Sequence, residues 1–168
     1  MPLYFTPNDP SDIATLVAQW PCMTLDYVAR QKIGGTHLTY TYLNQLPFLT
    51  PEVFEQSERD LLRKNVLELT YTSHSMRPWA EDLGYTGAPF AFDPDRRAQL
   101  RAELDAFFAK KYGLTRDELR YVLDPHDIKG TEYPSETFRG LKNKEINQFG
   151  EYRTQRLVLE AFDKLTGH

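Results

Sequence analysis

Cysteine is almost missing from this chain: Cys22 stands alone among 168 residues. No internal disulfide can form, and the composition fits a reducing compartment, the cytoplasm. A lone Cys22 reads as a small buried apolar side chain rather than a nucleophile. Long apolar runs are missing too. Nothing approaches the ~20 residues that cross a bilayer, and no basic region followed by an apolar stretch opens the chain as a signal peptide would. A membrane partner is therefore not expected. No GxxxxGK[ST] or GxGxxG loop is present to cradle a phosphate, and no G-x-S-x-G elbow to present a serine. The histidines (His37, His74, His126 and His168) are scattered without metal-ligand spacing. No catalytic residue, metal or cofactor is expected. An excess of positive charge is also lacking, since Lys and Arg number 20 against 24 Asp and Glu, for a net charge of −4. Tight sequence-independent binding of nucleic acid needs many phosphate-neutralising cations, so any DNA contact has to come from a local basic patch or a larger assembly.

Apolar and aromatic residues are plentiful. They make up 40% and 13% of the chain, with ten Tyr, ten Phe and two Trp. A domain of this size buries roughly 68–70% of the surface its unfolded chain exposes. The expected fold is mainly α, with about seven helices and one small β element. Residues 1–10 read as an irregular arm with Pro10 as a stop, and residues 11–168 as a single helical domain. Ser11 to Trp20 and Thr24 to Lys32 carry helical spacing, and Gly34-Gly35 offers a left-handed termination. His37 to Leu43 alternates Thr and Tyr and reads as a short strand, near 37–44. Thr50-Pro51 reads as a cap followed by Pro at the first helical position. Further helices are expected over Ser57 to Tyr71, around Trp79 to Leu83, and over Pro94 to Tyr112, opened by Asp93 and closed by Gly113. Thr115 and Glu118 form a capping-box pattern for the next, through Leu123. Pro134 to Phe149 and Glu151 to Leu165 complete the set.

Few residues suggest chemistry. Asp127-Ile128-Lys129 matches the acidic-x-Lys half of a metal-dependent nuclease site, but three residues in a solvated loop account for it better. Asp93, Asp95, Glu103 and Asp105 are explained by capping and helix-surface pairing rather than by paired-carboxylate catalysis. Arg153 and Arg156, with Arg139, Lys142 and Lys144 on the preceding helix, offer a basic face interleaved with Tyr152. Glu136, Glu145 and Glu151 make a mixed-charge solvated face the better reading. The informative stretch is Leu25 to Pro47, LDYVARQKIGGTHLTYTYLNQLP. It places Arg30, Gln31 and Lys32 at a helix end, then Gly34-Gly35, then Thr36 and His37. Such a joint can approach a phosphate with backbone N–H groups and reach base edges with side chains. On local chemistry alone, an ordinary helix–turn–strand joint, with Gly as the cap and Tyr in the core, accounts for it better.

This stretch resembles the region beyond the catalytic domain of large adenine-N6 DNA methyltransferases with an Asn-Pro-Pro-Tyr active site. These are the type IIG restriction–modification enzymes and the methyltransferases of BREX and DISARM phage defence. The resemblance runs on through Val66–Tyr71, Trp79–Tyr85, Arg101–Asp105, Tyr112–Asp124 and Gly150–Asp163, leaving only about the first 20 residues outside it. It implies a C-terminal module that recognises or clamps double-stranded DNA through Arg30, Gln31, Lys32, Gly34, Gly35, Thr36 and His37, with Arg153 and Arg156 as further candidates. The alternative is a helical module that docks on the methyltransferase catalytic core or on another defence-system subunit and touches no base. The family's cofactor-binding glycine motif and its tetrapeptide are absent, and Asn8-Asp9-Pro10 is no substitute. The clamp for an extruded adenine needs both an amide and an aromatic face. The chain is therefore not expected to be an enzyme on its own.

Overall fold

Asp9 starts the first helix in a computed structural model that describes residues 9–35, 37–134 and 136–167. Its carboxylate accepts the Ser11 N–H at 2.8 Å, and Pro10 takes the first position of α1, Pro10–Gln19. The expected start at Ser11, with Pro10 as a stop, is thereby corrected: a proline at this position gives up only an N–H that has no helical partner. The rest of the expected arm, residues 1–8, lies outside the described residues. After Pro21 the chain turns into α2, Met23–Lys32. That helix ends on Ile33 in extended geometry, and neither Gly34 nor Gly35 has positive φ. The expected left-handed diglycine stop is not used.

The expected strand is also replaced. Tyr40–Leu43 forms one helical turn, α3, closed by bonds from Leu43 N–H to the Thr39 carbonyl and from Asn44 N–H to the Tyr40 carbonyl, both 3.0 Å. Thr and Tyr favour strands only where a neighbouring strand accepts the backbone ladder, and no strand occurs among the described residues. Local i→i+4 bonds satisfy the backbone instead.

The remaining helices follow their caps. Thr50-Pro51 opens a 3₁₀ turn, Pro51–Val53. Glu55 and Glu58 cap α4, Gln56–Thr70, reciprocally. A second 3₁₀ turn, His74–Met76, leads into α5, Arg77–Asp82. Asp93 accepts from Asp95 and Arg96 to start α6, Pro94–Lys111, and Gly113 follows with φ +76°. Thr115 and Glu118 form the expected capping box of α7, Arg116–Leu123. Asp124-Pro125 then opens α8, Pro125–Lys129, where a loop was expected. The helix expected from Pro134 begins only at Arg139, as α9, Arg139–Phe149. Last comes α10, Arg153–Thr166. Glu145 of α9 accepts the Thr154 N–H at 2.7 Å and so caps α10 from a neighbouring helix. Ten α-helices are thus present among the described residues, rather than about seven. Replacing Thr115 by Ala should lower stability by about 1 kcal/mol, read as a shifted urea midpoint with unchanged slope; no shift would mean that Glu118 alone holds that helix start.

Helix α6 organises the packing, because its two sides serve different clusters. Leu104, Phe107 and Phe108 pack with Ala14, Ala18, Leu62, Val66 and Phe54. Ala102, Ala106 and Ala109 face the other way, with Leu119, Val122, Leu123, Val158 and Phe162. Three alanines at this spacing allow α10 to lie close along α6, burying methyl groups where larger side chains would hold the helices apart. A buried polar side chain ties the first cluster to the loop after α3. Gln19 accepts the Leu49 N–H at 2.7 Å and the Tyr112 hydroxyl at 2.8 Å, and donates to the Leu49 carbonyl at 3.2 Å.

Candidate nucleic-acid interface and docking face

The candidate basic residues fall into two separate places, the end of α2 and the start of α10. Arg30 sits four residues after Asp26 on α2 and is bound by it in a fork, at 2.9 and 3.0 Å. Its guanidinium also lies 5.3 Å from the Phe138 ring centroid, an attraction between the cation and the aromatic face. Gln31, Lys32, Gly34 and Gly35 are exposed, and among the described residues Lys32 forms no ion pair. His37 is exposed and has a partner. Thr36, the remaining candidate of the joint, lies outside the described residues.

The two arginines of α10 are committed within the chain. Arg153 is only 17% exposed, pairs with Asp95 at the start of α6 at 2.9 Å, and lies over the Phe149 ring. Arg156 is held between Glu151 and Glu160, both at 3.0 Å, and these bonds raise its pKa above the usual guanidinium range. Lys142 of α9 reaches Asp124 at 2.8 Å and Glu136 at 3.0 Å. Each of these cations already has its counter-charge. A phosphate would have to displace a carboxylate and leave that carboxylate unpaired.

The Lys142 neighbourhood was not anticipated from sequence. Asp124, His126 and Glu136 bring three candidate metal-ligand atoms within 4.8 Å of one another. The Lys142 ammonium already supplies positive charge to both carboxylates, and the His126 Nε2 lies 2.8 Å from the Tyr133 carbonyl oxygen. Asp127 was expected in a loop. It lies in α8 instead, where it takes a fork from Arg120 at 2.8 and 3.1 Å and a bond from Gln155. A nuclease role would require it to be released from both.

An apolar groove runs beside the end of α2. A cavity of about 430 Å³ is lined by Trp20, Leu25, Ala29, Ile33, Leu38 and Phe48, with the carboxylate-bearing Asp26 also in its wall. Trp20 stacks on Phe48 with ring centroids 5.4 Å apart, yet it remains 49% exposed, and Leu38 remains 44% exposed. Trp20 is thus a half-covered surface residue. Trp79, by contrast, is packed against the core and donates its indole N–H to the Thr70 hydroxyl at 3.0 Å. Scattered exposed apolar residues are ordinary; Trp20 and Leu38 differ in lining the same groove. No helix among the described residues is long and apolar enough to cross a membrane.

Comparison with known proteins finds no family model, no curated protein and no solved structure that matches this chain.

Proposed function

We propose that this chain is a non-catalytic helical module of an adenine-N6 DNA methyltransferase of the restriction or phage-defence kind. It works by docking its α1–α2 groove on the methyltransferase catalytic core or on a partner defence subunit. The resemblance over Leu25–Pro47 and the later segments supports the parent family. One observation carries the docking: Trp20 and Leu38 lie half exposed in one apolar groove. Arg30, Arg153 and Arg156, the cations best suited to DNA, are meanwhile held by carboxylates of the same chain. Covering a large apolar side chain contributes roughly 1.5–3 kcal/mol, and tryptophan is among the side chains that most often dominate an interface. Methyl transfer falls to the core in this reading, since the chain has neither a cofactor loop nor an amide-plus-aromatic clamp.

A second reading has support of its own. Lys32, exposed and without an ion pair among the described residues, stands with Gln31 beside the same groove, where a duplex held by the core would find a phosphate contact. One experiment separates the two. A methyltransferase core with the Asn-Pro-Pro-Tyr motif from the same genome is titrated with this chain, and a duplex is titrated separately at low and moderate salt. Docking predicts that Trp20→Ser weakens the core complex by at least about tenfold and that Lys32→Ala does not. The opposite pattern, with duplex affinity lost in Lys32→Ala, assigns the module to DNA. A core complex that is indifferent to Trp20 sinks the docking reading.

A further inference from the structure

A second cavity opens between α1, α4 and α6. It has a volume of about 270 Å³, and Val17, Ala18, Val66, Leu69 and Leu104 give it aliphatic walls. Three charged side chains of α6, spaced one turn apart, also line it: Arg97, Arg101 and Asp105. Asp105 is one of few buried charged groups in the chain. One of its oxygens accepts the Met23 N–H at 2.7 Å, capping the start of α2. The other makes no hydrogen bond among the described residues. Arg97 is held in place by the Leu69 carbonyl at 2.8 Å and by the Phe92 ring, and among the described residues it pairs with no carboxylate. Arg101 is exposed, with no ion pair or hydrogen bond among the described residues. Burial and the neighbouring Arg101 both lower the pKa of Arg97 from the ordinary guanidinium value. Asp105, one turn further along, gives Arg101 a carboxylate at longer range, so the unmet positive charge is that of Arg97, whose like-charged neighbour is one turn away.

Each feature of this cavity asks for a complementary group. The arginine pair calls for a carboxylate, which guanidinium binds in fork geometry. The open oxygen of Asp105 calls for a donor, and an ammonium satisfies it best. The walls call for an aliphatic chain, and a volume of about 270 Å³, near the lower end for ligand pockets, calls for a small one. We propose that the cavity between α1, α4 and α6 is a binding site for a free aliphatic α-amino acid, its carboxylate on Arg97 and Arg101, its ammonium on Asp105 and its side chain against Val17, Val66 and Leu104. The site shares Pro21 of its wall with the docking groove but has its own charged lining and does not depend on the methyltransferase reading.

The state of Asp105 gives this site a pH signature. Burial pushes its carboxyl up to about 7, and Asp26 adds to the rise, while the Met23 N–H and Arg101 act against it. Cys22, also in the cavity wall, has its thiol raised to about 12 by burial and does not titrate in the same range. Tyr152, on the α10 side, is shifted upward chiefly by burial, with smaller contributions from Glu145, Asp124 and Asp105. Binding an ammonium requires ionised Asp105, so affinity rises with pH through this range.

The test uses calorimetry on the full chain with three probes: L-leucine, 4-methylpentanoate without the amino group, and 3-methylbutylamine without the carboxylate. Leucine should bind at least about tenfold more tightly than either truncated probe. Its affinity should rise about tenfold from pH 6 to pH 8, whereas that of 4-methylpentanoate should not rise. Arg101→Ala should weaken leucine and 4-methylpentanoate but not 3-methylbutylamine. Asp105→Asn, which keeps an acceptor for the Met23 N–H, should remove the preference for leucine over 4-methylpentanoate. Absence of leucine binding at about 10 mM overturns the proposal, and so does equal binding of all three probes. Unaltered affinity in both variants, with circular dichroism confirming their fold, does the same.

Discussion

Phe108→Ala should cost about 3–5 kcal/mol, a large share of the 5–15 kcal/mol that holds an ordinary domain together. The ring is fully buried and meets Phe107 and Phe54 edge-to-face, with centroids 5.3 and 6.2 Å apart. Truncation removes the transfer free energy of the ring, two aromatic contacts of about 0.5–1.5 kcal/mol each, and the neighbours that filled the space. Collapse into the cavity is limited, because α1, α4 and α6 are fixed by their other contacts. Urea unfolding followed by circular dichroism measures the loss. A change below about 1 kcal/mol would mean that the first cluster repacks freely, contrary to the close contacts described here.

Asp105→Asn is expected to stabilise the chain, and to do so only at higher pH. The carboxyl titrates at about 7 in the folded chain against an ordinary value of 3.8. Between those values the folded state holds a proton that the unfolded state has lost, so stability falls as pH rises from about 4 to about 7 and then levels off. Asparagine resembles the protonated acid, accepts the Met23 N–H and has no charge to desolvate. At pH 8 the variant should therefore gain on the order of 2–4 kcal/mol, with little gain near pH 4. Unfolding free energies of both proteins at pH 4, 6 and 8 measure this. A gain independent of pH would show that Asp105 ionises without penalty in the folded state.

The helices were legible where caps and periodicity agreed. Asp93-Pro94 at one end of α6 and Gly113 beyond the other marked it in the sequence, and the Thr115–Glu118 pair marked the start of α7. Each signal is local, so neighbouring elements did not alter it. The segment from His37 to Leu43 failed for the opposite reason: a strand is a property of two segments, and its alternation said nothing about whether a partner existed. Asp124-Pro125 had the same cap-plus-proline form as Asp93-Pro94 and opened α8 in the same way, but only five residues follow it and no periodicity could show.

Less of the candidate sites was readable. The Asp26–Arg30 pair follows from four-residue spacing on one helix and could have been anticipated. The Asp95–Arg153 pair joins the starts of α6 and α10 and could not. The sequence explains Asp105 by helix-surface pairing alone. In fact α6 is covered on both sides, and what buries Asp105 is the start of α2. Trp20 closes a segment of helical apolar spacing, yet the structure leaves it half uncovered with Leu38.

The shared position of α6 has a consequence for how the molecule comes apart. Neither cluster can lose its order without stripping one flank from this helix, and a helix with one flank wet has little reason to persist in water. Local openings thus belong to pieces that bury little, such as α3, α5 and α9, while amides in the middle of α6 are expected to exchange with solvent only on global unfolding.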